Sequence, residues 1–319
     1  MSSPLSAPQI SAWRAVETAI EDARRALFPF RFERWLALGF LAFLDQCGSG
    51  GGAPPTGAPP LGAGGQGGGG GFGGGPKPDV SQVTDWISGH VGPIVAVTAI
   101  LLLTIVALLA LATWLGSRGT FMYMDAVATG RPEISRAWRE NAERANSLFA
   151  WRFLVALAVM IVLLLSIAGI VVFAILGSRN DGPEVLAGLG IVVLILVIFL
   201  VVVASGFVSL SLRDFVAPIQ RSRAVTCGDA IRLFVPLVRR WPGAFVFYVL
   251  LKLAFRALLG IAVLFACCLS CGCASLPVVF QTVLQPFFFF ERAWSMRLLE
   301  QMGFPLMQGP PSPSLAPPP

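Results

Sequence analysis

Long uncharged runs dominate the pattern of this chain. Between His90 and Arg118 lie 27 residues without a charge, between Arg152 and Arg179 lie 26, and between Glu184 and Arg213 lie 28. Each exceeds the ~20 apolar residues that cross a ~30 Å hydrocarbon core as a helix. Spans are therefore predicted over about 91–116, 153–177 and 185–211. Between Arg256 and Glu291 stand 34 uncharged residues, too many for one span and too few for two with a turn. Gly272 and Pro277 punctuate the middle of that run. A hairpin turning near Ala274 is expected, with spans over about 250–272 and 275–296 that draw Arg256 and Glu291 into the bilayer. Trp35–Leu44 is uncharged for only ten residues. It becomes a span over 31–47 if its flanking charges reach the interfaces.

Ahead of each pair of spans the pattern switches to a helical period with basic residues. SAWRAVETAIEDARRAL (11–27) places Trp13, Val16, Ile20 and Leu27 on one face. PEISRAWRENAERANSLF (132–149) and TCGDAIRLFVPLVRRW (226–241) follow the same pattern. In the last, Ile231, Phe234, Val235 and Val238 share a face, and Thr226 with Asp229 resembles a capping box. Helices of this kind lie in the headgroup region. Three such units, each followed by two spans, suggest a threefold internal repeat, although the first two share little beyond Ala-Trp-Arg.

Composition and charge fix the orientation. The chain is 55% hydrophobic and only 13% charged, against about 25% charged in an ordinary globular domain, which excludes a soluble fold. Arg14, Arg24, Arg25, Arg31 and Arg34 precede the first span, and 118–152 and 213–240 are similarly arginine-rich. The Gly-rich stretch 48–76 has no charge at all, and the 179–184 connection has only Arg179 as a base. Basic connections stay cytoplasmic. The alternation closes only if Trp35–Leu44 crosses. The expected fold is an all-α integral membrane bundle of six transmembrane helices with interfacial amphipathic helices, multi-pass in a bacterial cytoplasmic membrane with both termini inside. Residues 1–30 then form a cytoplasmic amphipathic segment, without the apolar core or cleavage site of a signal peptide. Residues 31–304 form the membrane domain, 48–76 an outer tether, and 305–319 a disordered Pro-rich tail. The net charge of +6 is sorted by membrane side rather than gathered in a patch, which argues against a nucleic-acid partner.

Candidate chemistry is sparse. Cys47, Cys267, Cys268, Cys271 and Cys273 are expected at one depth on the outer face, where an oxidising compartment permits disulfides; small apolar packing is the competing reading. Metal is disfavoured, because Cys267 and Cys271 share a helical face while Cys268 lies about 100° away. Cys227 belongs to a cytoplasmic connection and is expected to stay a thiol. Lys252 and Arg256 form an i, i+4 pair within an apolar helix. Such residues either reach the interface along their stems or mark an intramembrane site, and Glu291 is the named partner of Arg256. Gln281 and Gln285 share a face on the last span and suit helix–helix hydrogen bonds or a polar path. His90, the only histidine, borders the second span on its outer side, so neither a Ser-His-Asp set nor HExxH is expected. The Gly-rich stretch lacks the GK[ST] closure of a phosphate-binding loop. No catalytic residue, cofactor or metal is assigned.

SRGTFMYMDAV (117–127), NSLFAWRF (146–153), RDFVAPI (213–219) and LPVVFQTVLQPFFFFERAWSMRLLEQMG (276–303) together resemble a bacterial multi-pass membrane family of unknown function. That family is similar to the membrane domain attached to some glycerophosphodiester phosphodiesterases. The resemblance implies a six-span membrane protein and implies no chemistry. Two classes follow from the sequence: a non-enzymatic protein that organises the bilayer or binds other membrane proteins or copies of itself, and a transporter or channel lined by Arg256, Glu291, Gln281 and Gln285. Unbroken apolar runs in the middle spans favour the first.

Overall fold

A computed structural model of the chain describes residues 10–47, 89–178, 184–269 and 278–307. Every regular element among them is helical: α1 (Ala12–Leu27), α2 (Phe32–Cys47), α3 (Val91–Thr129), α4 (Ile134–Glu140), α5 (Ala142–Ser178), α6 (Glu184–Ser211), a π turn (Leu212–Val216), α7 (Ala217–Arg223), α8 (Cys227–Arg240), α9 (Pro242–Leu269), α10 (Val279–Val283) and α11 (Gln285–Gln301). Local chemistry sets several boundaries. Ser11 caps α1 by accepting from the Arg14 amide at 3.3 Å, and Thr226 caps α8 by accepting from the Asp229 amide at 3.4 Å. Gly130, at φ 71°, ends α3 in the left-handed region that favours glycine. The Gly-rich stretch 48–76 and the tail from residue 308 lie outside the described residues.

Among the described residues, four helical stretches are long and apolar enough to cross a membrane: Val95–Thr129, Ala142–Gly177, Val185–Arg223 and Pro242–Phe265. The sequence predicts six. The two expected spans that do not qualify are α2 and the α10–α11 segment, for physical reasons. α2 has 16 residues, about 24 Å of helix, and its last turn carries a buried Asp45. The final segment breaks at Leu284, and α11 holds Glu291, Arg292, Arg297 and Glu300. α2 packs along α3 and against α10, and α11 packs against α1, α2, α3 and the π turn.

Among the described residues, burial is concentrated at one end of the molecule. The apolar lengths of α3, α5, α6 and α9 face outward, as a lipid-facing surface does, with residues such as Leu103, Leu165, Phe199 and Leu253 exposed. The core instead joins α1, α2, the last turns of α3, the first of α5, α7, α8 and α11 around Tyr123, Phe215, Trp294 and Leu299. Close backbone approach holds α2 in this base. A Cβ on Gly119 of α3 would sit 2.5 Å from the Asp45 amide, and one on Gly39 of α2 would sit 2.9 Å from Thr282 Cα of α10. Arg34 at the other end of α2 donates to the Gly130 carbonyl, so α2 lies antiparallel along the last part of α3.

The amphipathic helices pack differently from their sequence pattern. α1 buries Ala12, Ala15, Ala19, Ala23 and Leu27 against the core, so of the shared apolar face Leu27 is buried and Val16 partly buried while Trp13 and Ile20 stay exposed. Arg297 of α11 reaches Asp22 of α1 at 2.6 Å through Nε. A stripe of alanines lets the two helices approach closely, which an apolar-moment reading does not see. In α8, Ile231, Phe234 and Val238 are partly buried against the core while Val235 is exposed. The 132–149 segment is divided at Asn141 between α4 and the start of α5.

Candidate functional site

The uncharged stretches of α3, α5 and α6 end at Arg118, Arg152 and Arg213, and the buried charges of the protein gather at that level. Arg213 and Asp214 occupy the π turn, and Pro218 explains why the helix widens there. Proline has no N–H and cannot donate to the carbonyl of Asp214 four residues before it, or of Arg213 five before it. The Ala217 amide instead bonds Leu212, a five-residue spacing. The Arg213 carbonyl is thereby left for an outside donor, and Arg292 Nη1 of α11 fills the role at 2.8 Å. All five residues of the turn are buried.

Two linked groups of charge result. Asp45 accepts from Arg213 Nη2 at 2.7 Å through Oδ2 and from Arg292 Nη2 at 2.8 Å through Oδ1, which joins α2, the π turn and α11. Asp214 accepts from Tyr248 at 2.9 Å and from Lys252 Nζ, both on α9. Glu291 connects the groups. Its Oε1 faces Arg213 Nη1 at 3.4 Å, Lys252 Nζ at 3.0 Å and Arg256 Nη2 at 3.0 Å. Apart from Arg256, whose side chain is 48% exposed, these charges are almost wholly buried. Burying an ion costs several kcal/mol unless partners replace its water, and here each carboxylate has at least two cationic or hydroxyl partners.

Around the layer, Arg152 donates to Thr120 at 3.0 Å, Gln285 donates to the Tyr123 hydroxyl at 3.0 Å, and Gln281 reaches Gln46 at 3.5 Å. The two glutamines thus bond to neighbouring helices. Arg118 sits against the faces of Trp114 and Trp138 and donates to the Trp138 carbonyl at 3.0 Å.

Of the residues singled out by sequence, Lys252, Arg256 and Glu291 come together in one cluster. Lys252 is buried against two carboxylates, those of Asp214 and Glu291. The cysteines are not gathered among the described residues. Cys47 ends α2 half-buried, Cys268 is exposed near the end of α9, and both are free thiols. Nothing is described of the Cys267 side chain, and Cys271 and Cys273 lie outside the described residues. Cys227 begins α8 as a buried thiol, and burial pushes its pKa up to about 12. Asp45, Arg213, Asp214 and Arg292 escape sequence reasoning because they border apolar runs, where flanking charges are read as interfacial, and Tyr248 because a tyrosine inside an apolar run passes as core. One signal was available: Asp45 is the only charge between Arg34 and Lys77.

The chain belongs to the Family of unknown function (DUF7544), whose model matches residues 10–304. No curated protein and no solved structure matches the chain. The likeness to the phosphodiesterase membrane domain therefore rests on the sequence motifs alone.

Proposed function

Starting from membership of a family without an assigned activity, we propose that this is a non-enzymatic multi-pass protein of the bacterial cytoplasmic membrane, one that organises the bilayer or holds partners there. The observation that carries the reading is the pairing of the layer's three buried carboxylates. Asp45, Asp214 and Glu291 are each held by cations or a hydroxyl from other helices, as in a structural clamp, while Arg152 Nη2, Arg292 Nε and Gln285 Oε1 stay without a hydrogen-bond partner among the described residues. A transport path requires such groups to face a shared aqueous cavity. The apolar helices beyond the layer are unbroken from Glu184 to Ser211 in α6 and over the uncharged lengths of α3 and α5, which supports the same reading.

Six crossings with both termini cytoplasmic belong to this proposal. α2 ends in the charge layer, whereas α3 begins 27 uncharged residues, about 40 Å of helix, away from it. α9 leaves the layer at Lys252, and the chain is back in it at Glu291. Four crossings leave both of these connections unbalanced; counting α2 and the α10–α11 segment, each with its connection, gives six and brings the termini to one side. The arginine-rich connections argue for the cytoplasmic side.

The test is capture of the tagged full-length protein from native membranes in mild detergent, with identification of co-purifying proteins and lipids, alongside solute uptake into proteoliposomes. A reproducible protein or lipid complex and no uptake are expected. A bound small solute with saturable uptake, and no partner, would overturn the reading.

A further inference from the structure

A cavity of about 230 Å³ lies between α6, α8 and α9, just beside the charge layer. Its walls are side chains such as Phe207, Phe215, Phe234, Val238, Val246 and Leu250. The one hydroxyl in the wall, that of Ser211, already donates to the Phe207 carbonyl at 2.9 Å and offers its proton to no guest. Apolar cavities of this kind exclude water and accept hydrocarbon; one of ~150 Å³ holds benzene. At its mouth Phe207, Val246 and Leu250 are 55%, 59% and 59% exposed on the lipid-facing surface.

The cavity also has a direction. Along α9 it extends from Pro242 to Leu250, about 12 Å of helix, and α6 lines it in the opposite sense. At the Pro242 end stand Arg239 and Arg240, exposed in the last turn of α8, with Arg240 against the face of Trp241 at 5.7 Å. At the other end there is only apolar side chain. A cationic rim at one end and a hydrocarbon slot leading away from it match one acyl chain and the phosphate of an anionic phospholipid. We propose that this cavity binds an anionic phospholipid of the leaflet on the α8 side, with an acyl chain between α6 and α9 and the phosphate at Arg239 and Arg240. The proposal rests on the membrane placement of α6 and α9. It is independent of the number of crossings and of any protein partner.

The experiment uses the full-length protein in nanodiscs of phosphatidylcholine doped with phosphatidylglycerol carrying a diazirine in one acyl chain, and in a parallel set with diazirine-bearing phosphatidylcholine. After irradiation, adducts are mapped by peptide mass spectrometry. Labelling of the cavity stretches 207–215 and 242–250 is expected to exceed that of Leu165 on the outer face of α5, with phosphatidylglycerol preferred by about thirtyfold, as two surface arginines suggest. Val249→Trp, which fills the slot, should remove cavity labelling and leave Leu165 unchanged. The pair Arg239→Gln and Arg240→Gln changes only exposed side chains and keeps the test open if the filled variant misfolds; it should abolish the headgroup preference. Equal labelling of the cavity and Leu165 overturns the site. Equal labelling by the two lipids in the unaltered protein overturns the anionic occupant.

Discussion

Glu291 places one carboxylate oxygen before three cations, and that arrangement decides what single substitutions should do. Arg256 contributes from a half-exposed position, so Arg256→Gln should cost about 1 kcal/mol or less, read as a small shift in detergent melting temperature. Asp45→Asn leaves Arg213 and Arg292 buried without their shared counter-charge, and should cost about 3–5 kcal/mol in the same melt. Exchanging the charges of Arg256 and Glu291 should not restore what either single exchange loses. An arginine at 291 would face Arg213 and Lys252, so the pairing cannot be treated as isolated. Cys227 makes a separate prediction. With its pKa raised to about 12, the thiolate is scarce at neutral pH, and its burial blocks access. Mass spectrometry after maleimide treatment near neutral pH should find Cys227 unmodified in the folded protein and modified once sodium dodecyl sulfate unfolds it. At this scale the sequence exposed the partners only in fragments. Lys252, Arg256 and Glu291 stand out because each interrupts an apolar helix, whereas Arg213 and Arg292 look like ordinary flanking charges until Pro218 is seen to free a carbonyl between them.

Helices and their apolar lengths were legible because a 27-residue uncharged run has few other solutions in a lipid environment. Their packing was not, since small residues leave no mark on a hydrophobic pattern. α1 shows this directly. Its large apolar residues drew the eye to the face of Trp13 and Ile20, whereas the alanines at 12, 15, 19 and 23 are the ones against the core. The same blindness applies to the glycines that admit α2. Gly119 faces the backbone of Leu44 and Asp45, so Gly119→Ala must push α2 away from α3 and disturb the carboxylate at its end. A loss of roughly 1–3 kcal/mol is expected, typical of overpacking, and measurable by the melt used for Asp45→Asn. At Gly188 in α6 an added methyl would meet nothing within 4 Å, and Gly188→Ala should leave the melt unchanged or raise it slightly. If both substitutions behave alike, the close approach of α2 and α3 is not what holds the base together.

At the level of the whole molecule, the buried base and the apolar helices beyond it require opposite environments. The base carries seven almost wholly buried charges among the described residues, a packed core and the arginine-rich connections; the outward lengths of α3, α5 and α6 carry no charge. Such a division is stable only if the base sits at one face of the bilayer; in the topology proposed above that is the cytoplasmic face, where arginine-rich connections are retained. The four long helices alone do not return the chain to that face at the right places, which is why α2 matters beyond its length. If the segment holding α2 is part of a crossing, residue 60 emerges opposite residue 225. Cysteines introduced singly at these positions into a variant lacking native cysteines should then differ in labelling of intact spheroplasts by a membrane-impermeant maleimide: residue 60 reacts, and residue 225 reacts only after the membrane is opened. Labelling of both before opening, or of neither, would put the two in one compartment. The count would then fall back to the four helices long enough to cross by themselves, and α2 would be a re-entrant or interfacial helix whose Asp45 is held at the base by Arg213 and Arg292 without ever marking a path across.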